Sequence, residues 1–90
     1  MKYAVSVGSH AATIDLEVDG KGGFSGTITS DEFGTGTISD GAQIENDLSG
    51  KVSMDGHTAS FEARLNGKNI SGTLRVSWLF AEDFTGTQVA

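Results

Sequence analysis

The chain has 90 residues with 12 acidic and six basic side chains, 13 glycines and a net charge of −6. A chain of this length buries only about 60–65% of its unfolded surface, so we expect one domain spanning residues 1–90. The acidic balance, without a Lys/Arg cluster, excludes nucleic acid as a partner. The absence of cysteine excludes disulfides and thiolate metal sites.

The start of the chain bears on localisation. Residues 1–12 contain one lysine and no apolar run of seven or more residues. A secretory signal needs such a run. We therefore expect a cytoplasmic protein.

Apolar residues recur at every second position over most of the chain. Such a period of two is typical of strands with one buried and one wet face, and no segment sustains a helical period of 3.6. We therefore predict no substantial helix. The even-numbered apolar positions are Ala12, Ile14, Leu16, Val18, Phe24, Ile28, Leu48, Val52, Met54, Ile70, Leu74 and Val76.

Turn residues divide this pattern into eight strands. Glycine, aspartate, asparagine and serine cluster between the apolar runs, and a further turn is expected at about 79–83. The predicted strands are roughly 2–7, 11–18, 23–30, 34–44, 48–54, 57–65, 68–77 and 84–89.

Two hairpins have sequence signatures of their own. Asp-Gly at 55–56 and Asn-Gly at 66–67 each predict a two-residue loop. The first loop would pair the residues that flank it, and the second would pair Leu65 with Lys68. With these loops Val52 lies opposite Ala59 and Ala63 opposite Ile70, so apolar residues face apolar residues across both hairpins.

The connection after Ile44 is predicted to be longer than these two-residue loops. A three-residue loop at 45–47 sets Ile44 against Leu48, whereas a two-residue loop would set a glutamate against Leu48. We therefore predict the longer loop. A bulge or kink is expected at Asp40-Gly41.

Eight short strands joined by tight turns predict an all-β, antiparallel up-and-down meander. Eight is the number of strands that closes into a small barrel whose interior fits side chains or one small ligand. Closure also removes sheet edges that would promote aggregation. The alternative is an open sheet or a two-sheet β-sandwich.

Glycine recurs at the centre of predicted strands, as in "FSGTI" and "ISGTL". One interpretation is structural: these glycines let strands coil and leave room for the rings of Phe24, Phe61 and Phe84. The other is a glycine-lined ligand cavity. The glycines concerned share even parity and the predicted inner face: Gly26, Gly36, Gly50, Gly72 and Gly86.

The glycine-centred strands, the run "DGAQIENDLSGKVSMDGHTASFEARLNGKNISGTL" and the later "DFTGTQ" carry a resemblance over about residues 13–88. The chain is similar to small uncharacterised bacterial β-domains and, more loosely, to calycin-like barrels of the avidin and lipocalin kind. The resemblance implies a barrel. The Gly-x-Trp motif with which lipocalins usually begin does not occur, so no lipocalin or avidin ligand residues are carried over.

Alternate turns of a meander share one end of the barrel, which would bring both histidines and the only tryptophan together. Trp78 shares parity with Leu74 and Val76 and is expected to point inward. One interpretation is an ordinary polar rim. Another is a ligand site, because pockets combine aromatic walls with a few polar groups. Its predicted walls are Trp78, Phe80 and Phe33, and its polar groups are His10 and His57.

A metal or acid/base site is the third interpretation of this rim. Two histidines and a carboxylate could ligate zinc or iron, but no HxH or HxxxH spacing preorganises them. We therefore assign no metal and no cofactor. A serine nucleophile is not favoured either, because no GxSxG elbow is present.

The preferred function is binding of a small apolar or amphipathic ligand without catalysis. The alternative is a structural or protein-interaction module, such as a homodimer. A cyclase- or isomerase-type barrel enzyme is a third hypothesis, which would need a titrating group inside. No membrane partner is expected, because the outward strand positions are polar.

Overall fold

The computed structural model describes residues 1–32, 34–54, 56–77 and 80–89, and it is all-β. Eight antiparallel strands form one closed barrel in sequence order. In the described part of the chain, no helix is long and apolar enough to cross a bilayer. The strands are β1 Lys2–Val7, β2 His10–Val18, β3 Gly23–Ser30, β4 Gly34–Ile44, β5 Asp47–Met54, β6 His57–Asn66, β7 Asn69–Ser77 and β8 Phe80–Gln88.

Closure depends on the pairing of β1 with β8. Their register runs from Tyr3 opposite Gln88 to Val7 opposite Phe84. Each remaining pair joins strands that are consecutive in sequence. The barrel predicted from strand count is therefore confirmed, and the open-sheet and sandwich alternatives are wrong.

The connections between strands lie alternately at two ends of the barrel, an upper end and a lower end. At the upper end β1 connects to β2, β3 to β4, β5 to β6 and β7 to β8, so His10 and His57 begin their strands there. At the lower end β2 connects to β3, β4 to β5 and β6 to β7. The first residue of β1 and the last residue of β8 also lie at the lower end.

Strand β8 begins at Phe80, four residues before the predicted start at 84. The polar pair Glu82-Asp83 resembles a turn in sequence, but it pairs with β7 opposite Leu74 and Thr73. A register shift between residues 75 and 77 precedes it. Val76 lies within that irregularity and is 49% exposed, so its predicted place on the inner face is wrong.

The β6–β7 hairpin is displaced by one residue from its predicted position. Asn66 pairs with Asn69 and Leu65 with Ile70, so the loop is Gly67-Lys68 rather than Asn66-Gly67. Gly67 adopts a φ of 63°, which glycine tolerates without strain. The alternation of apolar and polar residues could not reveal the error, because both registers place the same side chains on the same face of the sheet.

The β4–β5 loop was predicted one residue too long. Ile44 pairs with Asp47 and is 75% exposed, while Leu48 pairs with Gln43. The cause is the bulge, which is present as predicted: the register shifts between residues 39 and 42, and Asp40 has a φ of 53°. The extra residue reverses which side chains face inward beyond it, so Ile44 turns outward.

The core fills the middle and the lower part of the barrel. The rings of Phe24 and Phe61 lie 6.2 Å apart at 50°, an inclined aromatic contact. Further buried side chains converge from the other strands. The buried apolar residues are Tyr3, Val5, Ile14, Leu16, Phe24, Ile38, Leu48, Phe61, Ala63, Ile70 and Phe84.

The inner-face glycines are explained by close packing. A Cβ on Gly72 would overlap the carbonyl oxygen of Glu62, and one on Gly26 would overlap that of Asp15. On Gly50 it would stand 2.9 Å from the ring of Phe61. Missing side chains therefore allow coiled strands and inward rings to approach, as the structural interpretation predicted.

Candidate ligand site at the upper end of the barrel

Two histidines and a carboxylate-bearing turn lie at the upper end of the barrel. His10 begins β2, His57 begins β6, and Glu32 lies in the connection between β3 and β4. His10 Nδ1 lies 2.5 Å from Glu32 Oε2, so two connections that are distant in sequence are in contact. The predicted convergence of alternate turns is confirmed for these connections.

A buried serine holds this turn in place. Ser30 is the one buried polar residue in the described part of the chain, and its Oγ accepts a hydrogen bond of 3.2 Å from the backbone N–H of Glu32. A serine hydroxyl that bonds the backbone two residues on is a local turn motif. The motif fixes the direction in which Glu32 leaves the barrel wall, towards His10.

A small cavity lies inside the barrel between this end and the core. Its volume is about 30 Å³, which is enough room for a water molecule. Every lining residue in the described part of the chain is apolar, so these residues offer a water no hydrogen-bond partner and the cavity is expected to be dry. The lining residues are Val7, Ile14, Leu16, Ile28, Ile38, Leu48, Val52, Phe61, Ile70, Leu74 and Phe84.

The burial of the residues that line the cavity changes along the barrel axis. Its lower lining residues are buried, whereas Val7, Ile28, Val52 and Leu74 are only half-buried. These four residues come from the upper halves of four different strands. Among the described residues, the least buried part of the cavity wall therefore lies towards the upper end.

None of the inner-face glycines lines the cavity. Their open sides are occupied by backbone and side-chain atoms of adjacent strands. The interpretation of these glycines as a ligand-cavity lining is therefore wrong. The space comes instead from imperfect filling between aliphatic side chains.

Glu82 belongs to the site and was missed by sequence reasoning. It is half-buried, pairs across β7–β8 with Leu74, and lies two residues before Phe84 on the same face of β8. Both of those neighbours line the cavity. The even parity shared by Glu82, Phe84 and Gly86 is the signal that could have found it, but residues 79–83 were predicted to be a turn.

Carboxylates outnumber cations at this end among the described residues. Asp31, Glu32, Glu82 and Asp83 lie near it, whereas the described permanent cations in the upper halves of the strands are Arg75 and Lys51, and Lys51 is paired with Asp40. Asp83 points outward and accepts a hydrogen bond of 2.9 Å from Thr73 Oγ1. The upper end therefore carries a negative potential.

The other predicted site residues are only partly placed. His57 is exposed and pairs with Met54, the register predicted for that hairpin. The predictions for Phe33 and Trp78, and for the side chain of Phe80, lie outside the described part of the chain. Across the described residues, no group of three or more histidines, aspartates and glutamates is arranged to hold a metal ion.

Comparison with other proteins adds no relative. No family model, no curated protein and no solved structure matches the chain. The resemblance to calycin-like barrels therefore stays a prediction.

Proposed function

We propose that the protein binds a small amphipathic molecule whose apolar end enters the barrel from the upper end. The observation that carries this proposal is the cavity, whose described lining residues are all apolar and are half-buried towards the upper end. Filling such a space with an apolar group restores dispersion contacts that its lining side chains lack. Catalysis is not part of the proposal, because none of the described residues that line the cavity is titratable.

The volume limits what can enter. A space of about 30 Å³ is far below the 300–1,000 Å³ of pockets that enclose a drug-sized ligand. It accommodates one methyl-sized group without rearrangement. The ligand therefore places only the tip of an aliphatic chain inside, and the rest lies among Val7, Ile28, Val52 and Leu74 at the rim.

The test uses 1-hexanol as a neutral probe and follows the methyl resonances of the protein by NMR. We expect shifts concentrated at Ile28, Val52 and Leu74. Melting temperature should also rise, because a ligand at about 100 times its dissociation constant adds roughly 2.7 kcal/mol of stability.

Two variants separate entry at the upper end from general hydrophobic adsorption. Val52→Phe extends a half-buried lining residue into the space and should abolish the shifts. Val18→Phe enlarges an exposed residue at the lower end and should leave them unchanged. Circular dichroism confirms that both variants fold. Equal shifts in the two variants, or shifts spread over the outer surface, would contradict the proposal.

A second candidate function, a protein-interaction module that pairs with a second copy of the chain, is favoured by the lower end. Exposed apolar side chains gather there on four strands or their extensions: Met1, Val18, Ile44 and Val89. A dimer formed through them melts at a temperature that rises with protein concentration. Ile44→Lys should remove that dependence. A melting temperature independent of concentration over two decades would exclude the dimer.

A further inference from the structure

We infer that the ligand carries a cationic amine head, and that Glu82 is the residue that binds it. This inference rests on the proposed function and names the class of molecule: a short aliphatic amine. The inference depends on the position of the Glu82 carboxylate, which lies on the inner face of β8 next to the residues that line the cavity.

The position of Glu82 follows from the strand register. It lies opposite Leu74 and two residues from Phe84, and both of these line the cavity. Two residues along a strand span about 7 Å. An aliphatic chain with its tip in the cavity therefore brings its head near Glu82 after a few carbons.

Glu82 is also free to accept a ligand. Its two carboxylate oxygens lie against Gly8, each 3.3 Å from where a Cβ would stand on that residue. Among the described residues Glu82 has neither an ion-pair nor a hydrogen-bond partner. In contrast, Glu32 contacts His10, and Asp83 accepts a hydrogen bond from Thr73. A half-buried carboxylate is desolvated in part and gains more from a cation than an exposed carboxylate does.

The charges around Glu82 disfavour ligands with an anionic head group. Asp31 and Glu32 add to the negative potential, and Arg75 lies on the outer face of β7 opposite Ala81. An anionic head, such as that of a fatty acid, is repelled by this field. A neutral alcohol is neither attracted nor repelled.

The experiment compares n-hexylamine, 1-hexanol and hexanoate by calorimetric titration against the wild type, Glu82→Gln and Glu62→Gln. Glu62 is an exposed carboxylate on the outer face of β6, so its variant makes the same change in net charge away from the site. We expect n-hexylamine to bind the wild type most tightly and hexanoate most weakly. Glu82→Gln should weaken n-hexylamine roughly fivefold, the equivalent of one favourable ion pair, and leave 1-hexanol unchanged. Glu62→Gln should change neither.

The outcomes separate the two proposals. Equal affinity for the amine and the alcohol, or equal losses in the two variants, overturns the assignment of Glu82 and leaves the ligand site standing. Failure of all three probes to bind at millimolar concentration overturns the ligand site itself. Added salt provides a further check, because screening should weaken the amine and not the alcohol.

Discussion

The two ends of the barrel differ in how deeply their described inward side chains are buried. At the lower end, Tyr3, Leu16, Phe24 and Leu48 are each no more than 5% exposed. At the upper end the described residues that line the cavity are aliphatic and half-buried, and Glu82 takes an inward position. Among the described residues, burial is therefore more complete at the lower end than at the upper end.

Among the described residues, the large buried side chains are not shared equally between the two ends of the barrel. Aromatic rings cover the most area per residue, and the buried ones, Tyr3, Phe24, Phe61 and Phe84, fill the centre and the lower end. Of the described side chains, those at the centre and the lower end should therefore contribute most to stability.

The largest expected effect comes from a matched pair of truncations. Leu48→Ala removes a buried side chain near the lower end and should cost roughly 3 kcal/mol or more in free energy of unfolding. Leu74→Ala removes a half-buried side chain of the same type near the upper end and should cost about half as much. Urea denaturation of both variants gives the values. Equal losses would break the distinction between the ends.

A glycine pair gives the next effect. Gly72→Ala places a Cβ into the backbone of β6, at the carbonyl oxygen of Glu62, and should cost about 2–3 kcal/mol. Gly36→Ala meets the flexible end of Met54 first, at 3.0 Å, and should cost less. Thermal melts of the two variants decide. A Gly72→Ala variant as stable as the wild type would disprove the close-approach explanation.

Alkaline pH should weaken the lower end through Tyr3. Burial raises the pKa of its phenol above the ordinary value of about 10. The unfolded state therefore loses this proton first, so the stability that Tyr3 contributes is intact below pH 10 and falls as pH rises further. Unfolding free energy measured from pH 8 to 11 should show the decline. Tyr3→Phe should flatten it, and an unchanged slope in that variant would assign the effect to another group.

The smallest effect is expected from the ion pairs, of which each end has one on its surface. Arg64 Nε lies 3.0 Å from Asp47 Oδ1 near the lower end, and His10 contacts Glu32 at the upper end. Exposed pairs contribute little, because water and salt screen both charges. Asp47→Asn and Glu32→Gln should leave the melting temperature nearly unchanged. A large drop for either variant would show that charge, rather than packing, distinguishes the ends.

Much of the fold could be predicted because its determinants are local. Period-two alternation and tight turns located all eight strands and the bulge at Asp40-Gly41. The errors arose where a local rule was overridden. The bulge reversed the facing of Ile44, and the polar pair Glu82-Asp83 joined a strand because β7 offered it hydrogen bonds.

The site was less predictable for a physical reason. Topology alone placed His10, Glu32 and His57 at one end, since alternate turns of a meander must meet. The cavity depends on how aliphatic side chains fill the interior, and no sequence pattern encodes a gap of about 30 Å³. Glu82 escaped notice because its role depends on the register between β7 and β8.

The seam between β1 and β8 has a consequence for how the chain folds. Seven of the eight strand pairs are hairpins that can form soon after their residues are made, but Tyr3 must find Gln88 across nearly the whole sequence. Closing so long a loop is entropically slow, and until it closes both β1 and β8 present unpaired backbone. The transient open sheet is then the species most exposed to aggregation during synthesis, so chaperones or refolding conditions that protect that seam should raise the yield of closed barrels.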